Sequence, residues 1–232
     1  MLAGGFGTRL RSLVSDVPKP LAPAGDRPFL EHLVEHWVGE GVNDFVFLLH
    51  YESKKIETIL DEMASCGVLA ESRVRIVVET TPLGTGGAIL NGIHALNLSE
   101  SFLVANADTW LGSGVKQLSD VTPCAIGAVN VVNTERYGSI DIRKNVICAF
   151  GGKASSTGSG YINSGLYHLH PKVFDRFEVG SNFSLEDHVF PGLVAEGLLS
   201  GIVLDVDFID IGVPDDYVRF CNWIEKGKTY VL

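Results

Sequence analysis

Leu2–Pro23 reads LAGGFGTRLRSLVSDVPKPLAP, and this stretch decides the fold. It begins as the end of an apolar strand and breaks at once into Gly4-Gly5-Phe6-Gly7-Thr8-Arg9. Glycine reaches φ > 0 and lets the backbone approach a ligand, and successive N–H groups there can form an anion-binding concavity. Arg9 adds a planar fork suited to phosphate oxygens, and Lys19 stands between two prolines that pre-set its backbone. The stretch therefore predicts a phosphate-binding loop after the first strand of an α/β fold.

Two well-known phosphate loops do not fit this stretch. A Walker loop requires Gly-x-x-x-x-Gly-Lys-Ser/Thr, which occurs nowhere in the sequence. A dinucleotide loop requires Gly-x-Gly-x-x-Gly; Gly5 and Gly7 fit, but Leu10 takes the third position. For Gly-Gly-x-Gly alone, an ordinary glycine-rich turn between strand and helix stays open as the alternative.

The composition fits one large α/β domain that binds small molecules. The chain has 232 residues, of which 46% are hydrophobic, so it can bury a substantial core. Its net charge of −10 argues against a nucleic-acid surface, which needs a basic patch, but phosphate ligands require only a few local cations. The 4 widely separated cysteines indicate reduced core thiols in a cytoplasmic protein, and no run approaches the length of a membrane span. We therefore expect neither a nucleic-acid partner nor a membrane partner.

Strands and helices alternate through the first part of the sequence. The patterns predict helices over 28–39, 54–64 and 84–95 and strands over 45–49, 74–78 and 102–105. This alternation predicts a Rossmann-like α/β fold with a mostly parallel sheet and helices on both faces. Such sheets bind ligands beyond the carboxyl ends of their strands, and Gly4, Gly84 and Asp108 all fall there. We therefore expect these three segments to converge.

From residue 125 onward, short strands and tight turns replace this pattern. Strands are predicted over 125–132, 139–142, 146–150 and 161–169. Helices over 185–199 and 214–226 are predicted to flank a strand over 202–207. The region reads as a small β-rich insertion for the second substrate within a single domain of residues 1–232.

The first loop and the Pro-Lys-Pro-Leu-Ala-Pro run that follows it resemble the signature of the sugar-phosphate nucleotidyltransferases. The resemblance implies a nucleotide-binding half, residues 1–124, and a sugar-binding half, residues 125–232. It implies that Arg9 binds the pyrophosphate that leaves and that Lys19 contacts phosphate, so both are catalytic candidates. The nucleotide-binding residues implied by this loop are Leu2, Ala3, Gly4, Gly5, Gly7, Thr8 and Arg9.

Two further runs resemble nucleotide and metal motifs of the same family. Pro82-Leu83-Gly84-Thr85-Gly86-Gly87-Ala88 resembles its nucleoside loop, in which small residues let base and ribose lie against backbone. Asn106-Ala107-Asp108 and Asp210-Ile211-Gly212-Val213-Pro214 resemble the runs that carry the metal ligands. The resemblance implies nucleotide contacts from Pro82, Gly84, Thr85, Gly87 and Asn106, and Mg²⁺ bound by Asp108, also catalytic, and Asp210. The alternatives are a plain turn before a helix and an aspartate that only caps a turn.

Sugar recognition is implied for residues of the second half. Arg136-Tyr137-Gly138, Asn163-Ser164-Gly165 and Ser184-Leu185-Glu186 resemble steps at which family members contact the sugar. The sugar-binding candidates are Tyr137, Gly138, Lys153, Asn163 and Glu186. An exposed loop lysine is the alternative for Lys153, and a helix N-cap at Ser184 is the alternative for its motif, although both roles are compatible.

The resemblance implies nucleotidyl transfer between a nucleoside triphosphate and a sugar 1-phosphate. The motifs most resemble short D-glycero-D-manno-heptose 1-phosphate guanylyltransferases, so GTP and a heptose 1-phosphate are the expected partners. Thr81 stands where relatives often have Glu, which keeps mannose 1-phosphate guanylyltransferase and uridylyl or thymidylyl enzymes as alternatives. A non-catalytic regulator that binds a nucleotide sugar is the alternative of a different class. An oligomer is compatible with the sequence.

Overall fold

The computed structural model of the chain describes residues 1–5, 10, 14, 17–151 and 158–227. In chain order the strands and helices are β1 (Pro23–Ala24), β2 (Arg27–Pro28), α1 (Phe29–Gly39), β3 (Asp44–Leu49), α2 (Ser53–Ser65), β4 (Arg73–Val78), α3 (Gly84–Leu96), β5 (Phe102–Ala105), β6 (Thr109–Leu111), α4 (Val115–Ser119), β7 (Ala125–Val131), β8 (Ser139–Arg143), β9 (Val146–Phe150), β10 (Gly160–Leu169), α5 (Phe190–Ala195), β11 (Ser200–Val203), β12 (Phe208–Asp210) and α6 (Pro214–Glu225). Short 3-10 turns span Lys19–Leu21 and Pro171–Phe174, and a π-helical turn spans Leu185–Val189.

The chain divides into two compact units built from interleaved segments. The first unit contains Met1–Pro82, Asn106–Gly112 and Asp207–Leu232, and the second contains Leu83–Ala105 and Ser113–Val206. The sequence predicted a single domain with a nucleotide-binding half over about 1–124 and a sugar-binding half over about 125–232, and these functional halves stay a prediction. Which unit binds the nucleotide and which binds the sugar stays a prediction.

The first unit has a parallel core. β3 and β4 pair in parallel along their full lengths. Leu2 continues this arrangement, because it forms parallel bridges to Leu48 and to Asn106. A separate antiparallel ladder joins β6 to β12, with Asp210 opposite Thr109. The carboxyl ends of the parallel segments therefore share one edge of this unit.

Aromatic side chains hold α1 and α6 of the first unit together. Phe220 is 0% exposed, and its ring centroid lies 4.8 Å from that of Phe29 in an edge-to-face arrangement. The rings of Trp110 and Trp223 lie 5.4 and 5.7 Å from the Phe220 ring. Because Trp110 belongs to β6, this cluster fixes the ladder that carries Asp210 against both helices.

The second unit is built on a six-stranded sheet with the order β5-β10-β7-β11-β9-β8. β10 is its centre, since it pairs antiparallel with β5, β7 and β8. β11 and β7 form the parallel pair in this sheet. The register of β10 against β7 shifts between Asn163 and Tyr167, so a bulge interrupts the strand beside a predicted sugar contact.

The predicted Rossmann-like α/β fold is confirmed, and most predicted elements occur within two residues of their expected bounds. The helix predicted over 185–199 is wrong at its end, because Gly197 adopts φ +68 directly after the cap residue Glu196. The strand predicted over 202–207 is also wrong. The chain leaves β11 after Val203 and crosses from the second unit to the first between Val206 and Asp207.

The helices and the cysteine thiols of the described residues bear on two features, a membrane span and a disulfide framework. No helix among them combines the length and the apolarity needed to cross a membrane. The four cysteines are free, but their predicted place in the core is wrong, because Cys66 and Cys148 are exposed and Cys124 and Cys221 are only partly buried. Burial raises the pKa of the Cys124 and Cys221 thiols, which keeps both protonated and unreactive at neutral pH.

We expect Phe220→Ala to destabilise the protein by about 3–5 kcal/mol, because it removes a fully buried ring from the aromatic cluster. Urea denaturation measures the loss. Val218→Ala is the matched control, since Val218 lies on the same helix and is 48% exposed. Equal denaturation midpoints for the two variants would contradict the central place of Phe220.

Candidate active site

The predicted phosphate loop begins at the parallel edge of the first unit. Ala3 donates its backbone N–H to the carbonyl oxygen of Leu48 at 3.0 Å. Gly4 follows, and a Cβ added there would lie 3.2 Å from the Cβ of His50. Gly5 is exposed. The backbone thus leaves its strand at the kind of edge where parallel sheets bind ligands.

Asp108 lies at the same edge as Gly4. Leu2, two residues before Gly4, is bridged in parallel to Asn106, two residues before Asp108. The expected approach of these two segments is therefore observed within the first unit. Gly84 belongs to the second unit.

Lys19 is held by its flanking prolines as the sequence predicted. It begins the 3-10 turn Lys19–Leu21, whose first residue follows Pro18 in an extended conformation. Pro18 and Pro20 are both buried, so the backbone on either side of the lysine is fixed by packing as well as by the proline rings. The position of the ammonium group then depends on the side chain alone.

The Lys19 ammonium lies in an acidic cluster of the first unit. Its Nζ donates to Asp108 Oδ2 at 3.0 Å, and the side chains are 14% and 28% exposed. Asp210 Oδ1 accepts the backbone N–H of Gly212 at 2.8 Å. A Cβ on Gly212 would lie 2.7 Å from Lys19 Nζ and 2.8 Å from Asp210 Oδ1. The absence of a side chain at Gly212 therefore makes room for both the cation and the second carboxylate.

α6 fixes the chain that follows Lys19. The Tyr217 hydroxyl of α6 donates to the carbonyl oxygen of Pro23, which begins β1. Burial raises the pKa of Tyr217 to about 12, so the phenol stays a proton donor at neutral pH. The lysine turn is thereby tied to the helix that begins directly after Asp210 and Gly212.

Asp108 and Asp210 form a donor set that fits Mg²⁺. Backbone contacts keep them close: the Ile211 N–H donates to Asp108 O at 3.0 Å, and Asp210 lies opposite Thr109 in the ladder. Among the described residues, no group of three or more His, Cys, Asp or Glu side chains could enclose a metal ion. Mg²⁺ typically takes only one or two protein carboxylates and completes its shell with water and substrate phosphates.

In the second unit, the start of α3 is docked on a distant segment. The backbone N–H groups of Gly86 and Gly87 donate to Phe183 O at 3.0 and 3.1 Å, and the Phe183 N–H donates to Leu83 O at 3.0 Å. Gly84 has φ +72, and a Cβ there would lie 2.6 Å from Phe183 O. A Cβ on Gly87 would collide with Ser181 O, so packing against residues 181 and 183 also requires the two glycines that are predicted to admit a nucleoside.

Glu186 lies next to Thr85, within the π-helical turn Leu185–Val189. The Thr85 hydroxyl donates to Glu186 Oε2 at 2.9 Å. The Ser184 hydroxyl oxygen accepts the Asp187 N–H at 3.1 Å, so the capping role suggested by the sequence is confirmed. The cap leaves the Glu186 carboxylate exposed and available to a ligand.

Asn163 is fixed at both ends of its amide. Its Oδ1 accepts the Gly165 N–H at 2.9 Å, and its Nδ2 donates to the Tyr167 hydroxyl at 3.0 Å. Tyr167 is 1% exposed and packs against Phe190 with ring centroids 5.4 Å apart. The carboxamide is thus preorganised, with one acceptor lone pair and one N–H left for a ligand.

Tyr137 and Gly138 close a tight turn in the same unit. Both backbone N–H groups donate to Thr134 O at 3.1 Å, and Gly138 has φ +85.

Four other predicted site residues, namely Gly7, Thr8, Arg9 and Lys153, lie outside the described residues. Their contacts stay predictions.

Comparison with known proteins identifies the family. The protein-family model described as nucleotidyl transferase matches residues 1–227. The chain belongs to this family.

Individual relatives match almost the whole chain. The D-glycero-alpha-D-manno-heptose 1-phosphate guanylyltransferase of Campylobacter jejuni is 31% identical over 226 residues, covering 95% of this chain and 96% of the relative. The mannose-1-phosphate guanyltransferase of Saccharomyces cerevisiae is 35% identical over 246 residues, covering 100% of this chain and 67% of the relative. The crystal structure of HddC from Yersinia pseudotuberculosis, also solved in complex with GMP-PN, has a TM-score of 0.82 at 34% identity and covers 96% of this chain and 97% of that chain.

Sequence reasoning missed two side-chain contacts at the site. Tyr167, which bonds Asn163, lies outside the quoted motifs, and the bulge between the two residues interrupts the regular alternation from which their contact could have been predicted. Gly212 was quoted within a motif, but its contact with Lys19 depends on chain segments nearly two hundred residues apart. No local pattern encodes such a contact.

We expect Gly212→Ala to lower nucleotidyl-transfer turnover by roughly 10- to 100-fold, because the new Cβ displaces Lys19 Nζ or Asp210 Oδ1. Turnover and the melting temperature are measured together. Gly39→Ala is the control, since a Cβ at Gly39 meets nothing within 4 Å. If both alanine variants turn over substrate like wild type, the placement of Lys19 and Asp210 does not depend on the missing Cβ at residue 212.

Proposed function

We propose that the chain transfers a guanylyl group from GTP to a sugar 1-phosphate and releases pyrophosphate. The sugar we favour is D-glycero-D-manno-heptose, so the product is a GDP-heptose. The observation that carries the proposal is the Lys19 ammonium 3.0 Å from Asp108, with Asp210 beside it, at the edge where the Gly4 loop begins. A cation and two hard carboxylates at such an edge suit a polyphosphate and its metal ion.

The reaction requires no catalytic base. An oxygen of the sugar 1-phosphate attacks the α-phosphorus of GTP in line, because phosphate is largely dianionic near neutral pH. The bond from the α-phosphorus to the bridging oxygen breaks, and that electron pair leaves with pyrophosphate. The protein supplies positioning and charge stabilisation, in which preorganised donors act without reorganising.

In the first unit, the charged groups hold the triphosphate. Backbone N–H groups of Gly4 and Gly5 face the phosphates, and Lys19 offsets their negative charge. Arg9 is proposed to bind the pyrophosphate that leaves. Asp108 and Asp210 would hold Mg²⁺, which would neutralise charge between the two substrates and polarise phosphorus when bound.

In the second unit, the polar side chains orient the sugar. Asn163 presents an amide that Gly165 and Tyr167 already fix, so it loses little conformational entropy on binding hydroxyls. Glu186 presents an exposed carboxylate that accepts from sugar hydroxyl groups. Tyr137 and Gly138 offer backbone that approaches the sugar closely.

More of the relatives agree on the guanine nucleotide than on the sugar. Both the heptose 1-phosphate and the mannose-1-phosphate relatives are guanylyl enzymes by name, and HddC was solved with GMP-PN. Heptose is supported by relatives in Campylobacter jejuni and Aneurinibacillus thermoaerophilus at 31% and 30% identity. Mannose 1-phosphate is the second candidate, because the yeast mannose enzyme is 35% identical over a longer alignment.

A substrate matrix tests the proposal. Four nucleoside triphosphates are each combined with heptose, mannose and glucose 1-phosphates, and pyrophosphate release is measured. We expect GTP with D-glycero-α-D-manno-heptose 1-phosphate to give the highest kcat/KM, by at least about tenfold over other pairs. A preference for mannose 1-phosphate would select the second candidate. No release from any pair would favour a non-catalytic regulator.

We expect Asp108→Asn and Asp210→Asn each to raise the Mg²⁺ concentration needed for half-maximal activity. The double variant should be little worse than either single variant, because both remove ligands of one ion. Magnesium titrations of turnover provide the measurement, and Asp61→Asn on the exposed face of α2 is the control. If Asp210→Asn lowers only the melting temperature, Asp210 caps a turn and the shared ion is wrong.

A further inference from the structure

The loop assigned to the nucleotide and the carboxylate assigned to the sugar form one hydrogen-bonded block. Leu83, Gly86 and Gly87 exchange backbone hydrogen bonds with Phe183 at 3.0–3.1 Å. Glu186 follows three residues after Phe183 on the same segment. The two motifs are about a hundred residues apart in sequence, yet the second unit places them side by side.

Thr85 connects this loop to the segment through its side chain. Its hydroxyl donates to Glu186 Oε2 at 2.9 Å and accepts the Leu185 N–H at 2.9 Å. The second contact fixes the rotation of the hydroxyl, because it occupies a lone pair and directs the proton toward the carboxylate. Thr85 itself is half-buried, so its side chain is held by the surrounding loop.

Glu186 needs such a partner to hold one orientation. Its side chain is exposed and has three rotatable bonds, which an unpartnered surface glutamate would populate broadly. A hydrogen bond to a charged acceptor is stronger than one between neutral groups, and it selects the rotamer that Thr85 can reach. The free oxygen of the carboxylate then points in a defined direction.

We propose that Thr85 is a positioning residue for Glu186, and that its side chain serves sugar recognition although it lies in the nucleotide loop. This inference rests on the proposed function, in which Glu186 binds the sugar. The side chain of Thr85 is engaged by Leu185 and Glu186 in the same unit. Nucleotide binding at this loop therefore depends on its backbone and not on the threonine hydroxyl.

The test uses Thr85→Val, which keeps the shape of threonine and removes the hydroxyl, in the full chain. We expect the KM for the sugar 1-phosphate to rise about tenfold, while the KM for GTP stays within about twofold. Thr85→Ser keeps the hydroxyl and should recover most of the lost affinity. Thr58→Val, which removes a hydroxyl from the exposed face of α2, is the matched control.

A double-mutant cycle separates positioning from general stability. In a Glu186→Ala background, Thr85→Val should raise the sugar KM no further, because its partner is already gone. Thr85→Ala removes the same hydroxyl and introduces a smaller side chain, and it replaces Thr85→Val in the test if the valine variant does not fold. Circular dichroism establishes that each variant is folded before kinetics are compared.

Three results would overturn the role of Thr85 while leaving the enzyme function intact. They are an unchanged sugar KM in Thr85→Val, an equal rise of the GTP and sugar KM values, and a Thr85→Val effect that persists without Glu186. A wild-type chain that releases no pyrophosphate with any substrate pair would instead overturn the proposed function, and the role of Thr85 with it.

Discussion

The ion pair between Lys19 and Asp108 is the contact on which the charged site of the first unit depends. The chain carries a net charge of −10, and two of its negative charges, Asp108 and Asp210, lie at the edge where polyphosphate is proposed to bind. Without a local cation, this edge would repel its ligand. Lys19 supplies that cation from a turn whose prolines and α6 contacts limit its movement. Gly212 leaves the space, so the arrangement requires a residue type as well as a charge.

The second unit preorganises its polar side chains through hydrogen bonds instead of an ion pair. Asn163 is fixed by Gly165 and Tyr167, and Glu186 is fixed by Thr85. Neither side chain has to be ordered by its ligand, so less binding free energy is lost to conformational entropy. In the proposed function, the first unit thus uses fixed charges for the phosphates, and the second uses hydrogen-bonded side chains for the sugar hydroxyl groups.

The fold could be predicted wherever a segment was long enough to show a period. α1, α2 and α3 each span eleven or more residues, and their apolar spacing placed them nearly to the residue. β6 and β12 have three residues each, too few for any alternation to be visible, and they were missed although they carry Asp210 beside Asp108. The interleaving of the two units was also missed, because strand order depends on pairing between distant segments.

The residue types of the site were predictable, but their partners were not. Family resemblance selected Thr85 and Gly84 as ligand contacts, and it had no means to show that Phe183 and Glu186 also contact them. A glycine that admits a ligand and a glycine that admits another segment of the same protein look identical in sequence, since both are defined by a missing Cβ. Here residue 183 lies where the Cβ of Gly84 would be, so protein packing alone is sufficient to require glycine at that position. A motif in one sequence therefore states which residue type a position needs, and only the contacts around it state why.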